Sequence, residues 1–118
     1  MDRRVVVTGV GIVSPLGVGT QESWKECLAG TSGVSPITKF DCEGFAVQIA
    51  GEVKDFDPLD YVSRKDLKKM DYHIQYALAA AEFALDGAGL KGEDRPYSAD
   101  RMGVLIGSGI GGLNMMEV

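Results

Sequence analysis

Met102-Gly103-Val104-Leu105-Ile106-Gly107-Ser108-Gly109-Ile110-Gly111-Gly112 decides how the chain is read. An apolar run without polar alternation reads as a strand buried on both faces, the habit of parallel sheets. The glycines behind it read as a loop in which φ turns positive or backbones come close. A second passage has the same form: Val5-Val6-Val7-Thr8 leads into a Gly/Pro-rich turn from Gly9 to Gly19. Glycine supplies 16 of the 118 residues, about twice the ordinary ~7%, and much of the excess lies in these two loops.

Between the two passages, Gln21–Ala29 reads as a helix with Thr20 as its N-cap, Trp24 and Leu28 on one face, and Gly30 or Gly33 as its stop. Residues 34–56 read as mostly irregular, with Val47-Gln48-Ile49-Ala50 as a short edge strand. Asp57-Pro58 reads as a cap followed by proline at the first helical position, and Ser63-Arg64-Lys65-Asp66 as a capping box with aspartate in place of glutamate. From Asp71 to Asp86 the pattern is strongly helical. Ile74, Leu78, Ala81 and Leu85 line one face, and Ala77, Ala80 and Ala84 beside them let a neighbour pack closely. Gly87 and Gly89 end this helix, Lys91–Asp100 is a polar loop, and Leu113–Val118 reads as a further helix just beginning. The order strand, loop, helix, helix, strand, loop predicts a layered α/β protein with a mostly parallel sheet. Two doubly buried strands need more apolar cover than these helices supply, so the chain reads as the N-terminal part of a larger domain.

Composition excludes several classes. Apolar residues make up 45% and charged residues 25%, the balance of a folded globular chain. No stretch approaches the ~18 apolar residues of a membrane helix, and the N-terminus lacks the apolar core of a signal peptide. A soluble, cytoplasmic protein is expected. Two cysteines, Cys27 and Cys42, and one histidine, His73, exclude a disulfide scaffold, a Cys/His zinc set and a Cys-His-His catalytic centre within these residues. Cys27 is expected in the core, the carboxylates flanking Cys42 disfavour a thiolate, and His73 reads as structural or exposed. No metal site is expected.

Seventeen acids against twelve bases leave a net charge of −5, which disfavours nucleic acid as a partner. The bases cluster nevertheless. On a continuous helix Arg64, Lys65, Lys68 and Lys69 occupy one arc of about 140°. They read either as a solvated face partly neutralised by Asp66, Asp71 and the acids Asp55, Asp57 and Asp60, or as a docking patch for an acidic protein or a phosphate. The glycine loops raise a dinucleotide reading. The first has Ser14 where the third glycine of G-x-G-x-x-G belongs, and its helix starts too far away. Gly107–Gly112 is a literal match, and the acidic residue that confirms such a motif lies past Val118.

Taken together, the segments resemble the β-ketoacyl-acyl-carrier-protein synthases, and the type II elongating condensing enzymes in particular. The resemblance is carried by Arg3–Gly11, Ser14-Pro15-Leu16-Gly17, Trp24, Ala29-Gly30 with Gly33, Phe40-Asp41, Ala50-Gly51, Val53–Phe56, Arg64-Lys65 with Lys68–Asp71, and Ile106–Gly112. It runs in order over essentially the whole chain, and Ile110 points to type II. It implies a thiolase-like layered α/β fold, of which residues 1–118 are an incomplete N-terminal part of the first half, in an enzyme that works as a homodimer. It implies a decarboxylative Claisen condensation in fatty-acid elongation, with no separate cofactor because substrates arrive on the phosphopantetheine arm of acyl carrier protein. The family's nucleophilic cysteine and two histidines match nothing here, so no catalytic residue is assigned. Arg64, Lys65, Lys68 and Lys69 match the family's carrier-protein surface, and Ile110, with Gly109 and Gly111 beside it, matches the acyl pocket. Two alternatives stand: a noncatalytic subunit of the chain-length-factor type, and an NAD(P)-dependent oxidoreductase using Gly107–Gly112. On the fragment reading, the isolated 118-residue polypeptide unfolds over a broad range, and a sharp two-state calorimetric melt contradicts that reading.

Overall fold

In the computed structural model, which describes residues 2–113, Ile12–Phe56 forms one unit, and the residues up to Gly11 pack with those from Asp57 onward in another. The first unit begins with a hairpin: β1 (Val13–Ser14) and β2 (Gly17–Val18) pair antiparallel around Pro15-Leu16. Helix α1 (Thr20–Leu28) follows at once. Its N-cap is Gly19 at φ 104°, not Thr20 as the sequence predicts. Gly19 N–H donates to the Ile12 carbonyl while its own carbonyl accepts from Ser23, and that double engagement needs a left-handed φ that glycine adopts without strain. The buried Ser23 hydroxyl donates to the Gly17 carbonyl at 3.0 Å and meets the Ser14 hydroxyl at 3.1 Å, tying α1 to the hairpin. Gly30, at φ 70°, ends the helix as expected. Trp24, Leu28 and Cys27 are exposed, so the face that sequence assigns to a core is open, and Cys27 is not a core residue.

β3 (Val34–Pro36) and β4 (Ile49–Gly51) form a second antiparallel ribbon, with Val34 opposite Gly51 and Pro36 opposite Ile49. The loop between them is held by one carboxylate. Buried Glu52 accepts hydrogen bonds from the Thr38 amide, the Thr38 hydroxyl at 2.7 Å and the Lys39 amide at 3.1 Å. Phe40 and Phe45 stack edge to face within the same loop, with centroids 6.3 Å apart.

In the second unit, Asp57 caps a 3-10 turn at Pro58–Asp60 by accepting from the Leu59 amide. Helix α2 (Arg64–Leu67) is a single turn capped by Ser63, whose hydroxyl accepts from the Asp66 amide at 3.2 Å and donates to the Asp66 carboxylate at 2.6 Å. The box therefore closes on the serine hydroxyl, because aspartate is one methylene shorter than the glutamate that reaches back to the backbone. Helix α3 (Tyr72–Gly87) is capped by Asp71 and stopped by Gly89 at φ 67°. Tyr61 packs edge to face on Phe83, at 5.7 Å, and holds the 3-10 turn to α3.

The buried face of α3 carries Gln75 and Ala79, while Ile74, Leu78, Ala81 and Leu85 lie exposed or nearly so. The expected stripe is rotated by about one residue. The neighbour explains the rotation: the backbone of Gly9 and Gly11 runs against Ala80, Ala84 and Ala88, and a Cβ at either glycine would collide with those residues. A bare backbone selects alanines, not large side chains, as its seat. The glycines of the first loop are thus needed for close approach.

The two expected strands are not formed. Val5–Thr8 and Met102–Ile106 pair with no other strand among the described residues, and Val5 is 92% and Leu105 99% exposed. A strand exists only through a neighbour's hydrogen bonds, and an apolar run cannot supply that neighbour itself. In place of a mostly parallel sheet, the described residues hold two short antiparallel ribbons. Among the described residues no helix is long and apolar enough to cross a membrane. The helix start expected at Leu113–Val118 lies, apart from Leu113, outside the described residues.

The Thr38 hydroxyl, followed by the two amides, holds the Glu52 carboxyl below its ordinary value of 4.5, against the opposing effect of burial. With a folded value below the unfolded one, the clamp contributes fully above pH 4.5 and is lost as pH falls through the folded value. Glu52→Gln in the full-length protein is therefore expected to melt lower than the parent at neutral pH, with the gap closing on acidification. A gap independent of pH contradicts this.

Candidate functional site

The basic residues sit on a turn that the chain fixes at both ends. Arg64 and Lys65 lie in α2, Lys68 is its C-cap, and Lys69 belongs to the following turn. The Lys69 and Met70 amides reach back three residues, to the Asp66 and Leu67 carbonyls. The continuous helix behind the 140° arc is therefore not present: α2 tightens and stops after one turn. Bases at 64, 65, 68 and 69 repel at helical spacing, and Asp71, at ψ 165°, turns the chain to start α3. All four side chains are exposed, and none forms an ion pair among the described residues. Asp66, a neutralising candidate, is committed to Ser63.

The junction from this turn to α3 is hydrogen-bonded on both sides. Gln75, 6% exposed, donates from Nε2 to the Met70 carbonyl at 3.0 Å. Asp71, also buried, accepts from the Tyr72 amide at 2.6 Å, and its carbonyl receives the Ile74 amide. The glycine loop arrives at the same place. A Cβ at Gly112 would stand 2.9 Å from the Asp71 Cβ and strike its carboxylate. Gly111 is at φ 84°, and its amide donates to the Ser108 hydroxyl at 3.1 Å. Ile110 is 73% exposed, and a Cβ at Gly103, Gly107 or Gly109 would meet nothing within 4 Å. Among the described residues the loop is seated at Gly112 and has no close neighbour at Gly107 or Gly109. Beside it, a shallow hollow of about 350 Å³ lies between the loop and the first turn of α3, lined by Tyr72, His73, Tyr76 and Gly111.

Sequence reasoning names Asp71 only as a possible neutralising charge and misses Gln75 altogether. The available signal is an aspartate directly before the helical period, followed four residues later by a glutamine within an apolar pattern. Cys42 and His73 are half-buried. Among the described residues no group of three His, Cys, Asp or Glu side chains could hold a metal ion. In the other unit, a groove of about 390 Å³ beside the hairpin is lined by Glu22, Glu26, Lys54 and Asp55 and collects mixed charge without an evident reactive pair.

The profile of the β-ketoacyl synthase N-terminal domain matches residues 2–118. The chain belongs to the β-ketoacyl synthase family. It is 52% identical over 115 residues to the 3-oxoacyl-(acyl-carrier-protein) synthase 2 of Vibrio harveyi, covering 98% of this chain and 27% of that protein. It is 49% identical over 115 residues to the synthase 2 of Coxiella burnetii (strain RSA 493 / Nine Mile phase I), again 98% of this chain and 27% of that one. The synthase 2 of Staphylococcus aureus (strain N315) is 42% identical over 117 residues, 99% of this chain and 28% of its own length. The ishigamide ketosynthase/chain length factor superposes with a TM-score of 0.69 at 47% identity, over 75% of this chain and 22% of that one. The chain thus spans about a quarter of the length of these relatives. The thiolase-like α/β class follows from the kinship, with the described residues a small N-terminal part of it. The family match runs through Gly107–Gly112, so the literal dinucleotide motif there sits inside a β-ketoacyl synthase sequence.

Proposed function

We propose that this chain is the N-terminal part of a β-ketoacyl-acyl-carrier-protein synthase that elongates fatty acids in the cytoplasm as a homodimer. The observation that carries the reading is the exposed turn of Arg64, Lys65, Lys68 and Lys69, without an ion-pair partner among the described residues, in a chain of net charge −5. Four uncompensated bases on an acidic chain cost stability, and an acidic partner that neutralises them recovers it. Acyl carrier protein is the partner that the family kinship supports. Electrostatic steering of this kind sets encounter rate and orientation, which a carrier that must deliver its thioester repeatedly needs.

The reaction follows the family's chemistry. An acyl group passes from the carrier's phosphopantetheine thiol to a cysteine thiolate, forming a new thioester and freeing the carrier thiol. Malonyl-carrier protein then loses CO₂, its carbanion attacks the enzyme thioester, and the cysteine leaves as thiolate. The cysteine and the two histidines that stabilise the enolate belong to the remainder of the enzyme, so these 118 residues alone are inactive in our reading. The role of this part is to receive the carrier and shape the acyl site. Ile110, flanked by Gly109 and Gly111, is assigned to the acyl pocket, where its bulk must swing aside for longer chains. A noncatalytic subunit of the chain-length-factor type is the second reading, favoured by the superposition on a ketosynthase/chain length factor.

In the full-length enzyme, Lys65→Glu with Lys69→Glu is expected to raise KM for acyl-carrier protein by about tenfold and flatten its salt dependence, with kcat largely kept. Unchanged kinetics remove the docking assignment. Ile110→Phe is expected to lower kcat/KM for long primers by about tenfold or more while sparing short ones. Equal loss at every length argues against a pocket role.

A further inference from the structure

We propose that Asp71 is a positioning residue that ties the basic docking turn to the acyl-site glycine loop, so that carrier docking and acyl length are read together. The proposal rests on the condensing-enzyme reading above. Its basis is a continuous path of short, directional contacts. Lys69 and Met70 hang from α2 through their amides, and the Met70 carbonyl is gripped by the buried Gln75 side chain. The next residue, Asp71, is fixed through its carboxylate to the first turn of α3. The same side chain is the seat against which Gly112 lies without room for a Cβ.

Two sites thus share one anchor. The docking bases end two residues before Asp71, and Ile110 stands two residues before Gly112. A displacement of the Lys68–Lys69 turn is passed toward the loop through Asp71, because the Met70–Asp71 junction is held by both Gln75 and the helix cap. On the loop's side, Gly112 lies against the Asp71 side chain, and Gly111 before it sits at φ 84°. A shift of Asp71 is thereby carried to Ile110 through Gly112 and Gly111. Coupling of this kind is reciprocal: a long acyl chain that moves Ile110 changes the grip on the carrier, as the carrier changes the loop.

The test uses the full-length enzyme with short and long acyl-carrier primers. Asp71→Ser keeps a good helix cap but removes the carboxylate seat, and Gly112→Ala disturbs the same contact from the loop's side. Each is expected to change the long-to-short ratio of kcat/KM by about three- to tenfold. In the parent, the KM penalty of Lys65→Glu depends on primer length; with Asp71→Ser it becomes the same for both lengths. Asp71→Asn, which preserves the shape of the seat, is expected to restore the parent's ratio. If Asp71→Ser does not fold, Gly112→Ala carries the comparison alone. Uniform loss at all lengths in either variant, or an unaltered length dependence of the Lys65→Glu penalty, assigns Asp71 a merely structural role and overturns the proposal. A parent enzyme that extends no primer overturns the underlying reading and the proposal with it. Normal extension with unaltered ratios overturns only the assignment of Asp71.

Discussion

The capped junction at Met70-Asp71 is the constraint on which the functional half of this chain depends. A helix leaves its first amides without partners, and a residue that satisfies one of them fixes where the chain enters. Asp71 does this for α3, and Gln75 binds the preceding carbonyl, so the chain cannot swivel between the basic turn and the helix. The basic side chains gain a fixed direction from that rigidity, and the glycine loop gains a seat.

The same economy recurs through the molecule. Small polar groups, and close approach at glycine, do much of the holding. Ser23 ties α1 to the hairpin, Glu52 gathers the Thr38–Lys39 turn, and Gly9 and Gly11 lie on an alanine seam of α3. The buried polar residues Ser23, Glu52, Asp71 and Gln75 stand beside Val62 and Ala79 as the buried apolar pair among the described residues. Many large apolar side chains, Val5, Trp24 and Leu105 among them, remain in the open. Apolar surface on this scale is what partners or further chain cover in folded proteins. It accords with a chain that spans about a quarter of the length of its relatives.

What was legible in the sequence was local. The caps at Asp57 and Ser63, the proline after the first of them, and the glycine stops at Gly30 and Gly89 act over one to four residues, and each is where the pattern puts it. The exposed basic cluster was legible for the same reason. What depends on a distant partner was not. Val5–Thr8 and Met102–Ile106 have strand composition but no strand beside them among the described residues, and the edge strand read at Val47–Ala50 is present at Ile49–Gly51, while its partner β3, more than a dozen residues away, was not foreseen. Close packing at Ala80 and Ala84 of α3 is where the sequence puts it, but the apolar stripe of Ile74, Leu78 and Leu85 is not buried, because the neighbour is a glycine backbone that accepts alanine. The glycine loop was located at once, but its anchor on Asp71 is a tertiary contact. The acyl role of Ile110 stands as our proposal, since no contact in the structure carries it.

The measurement that bears most directly on this account is the intact mass of the full-length protein after incubation with an acyl-carrier protein loaded with a saturated primer. The account predicts a mass increase equal to one acyl group per chain, removed when malonyl-carrier protein is added. An unchanged mass, with the primer still on its carrier, would contradict the condensing-enzyme reading and leave the chain as part of a noncatalytic relative.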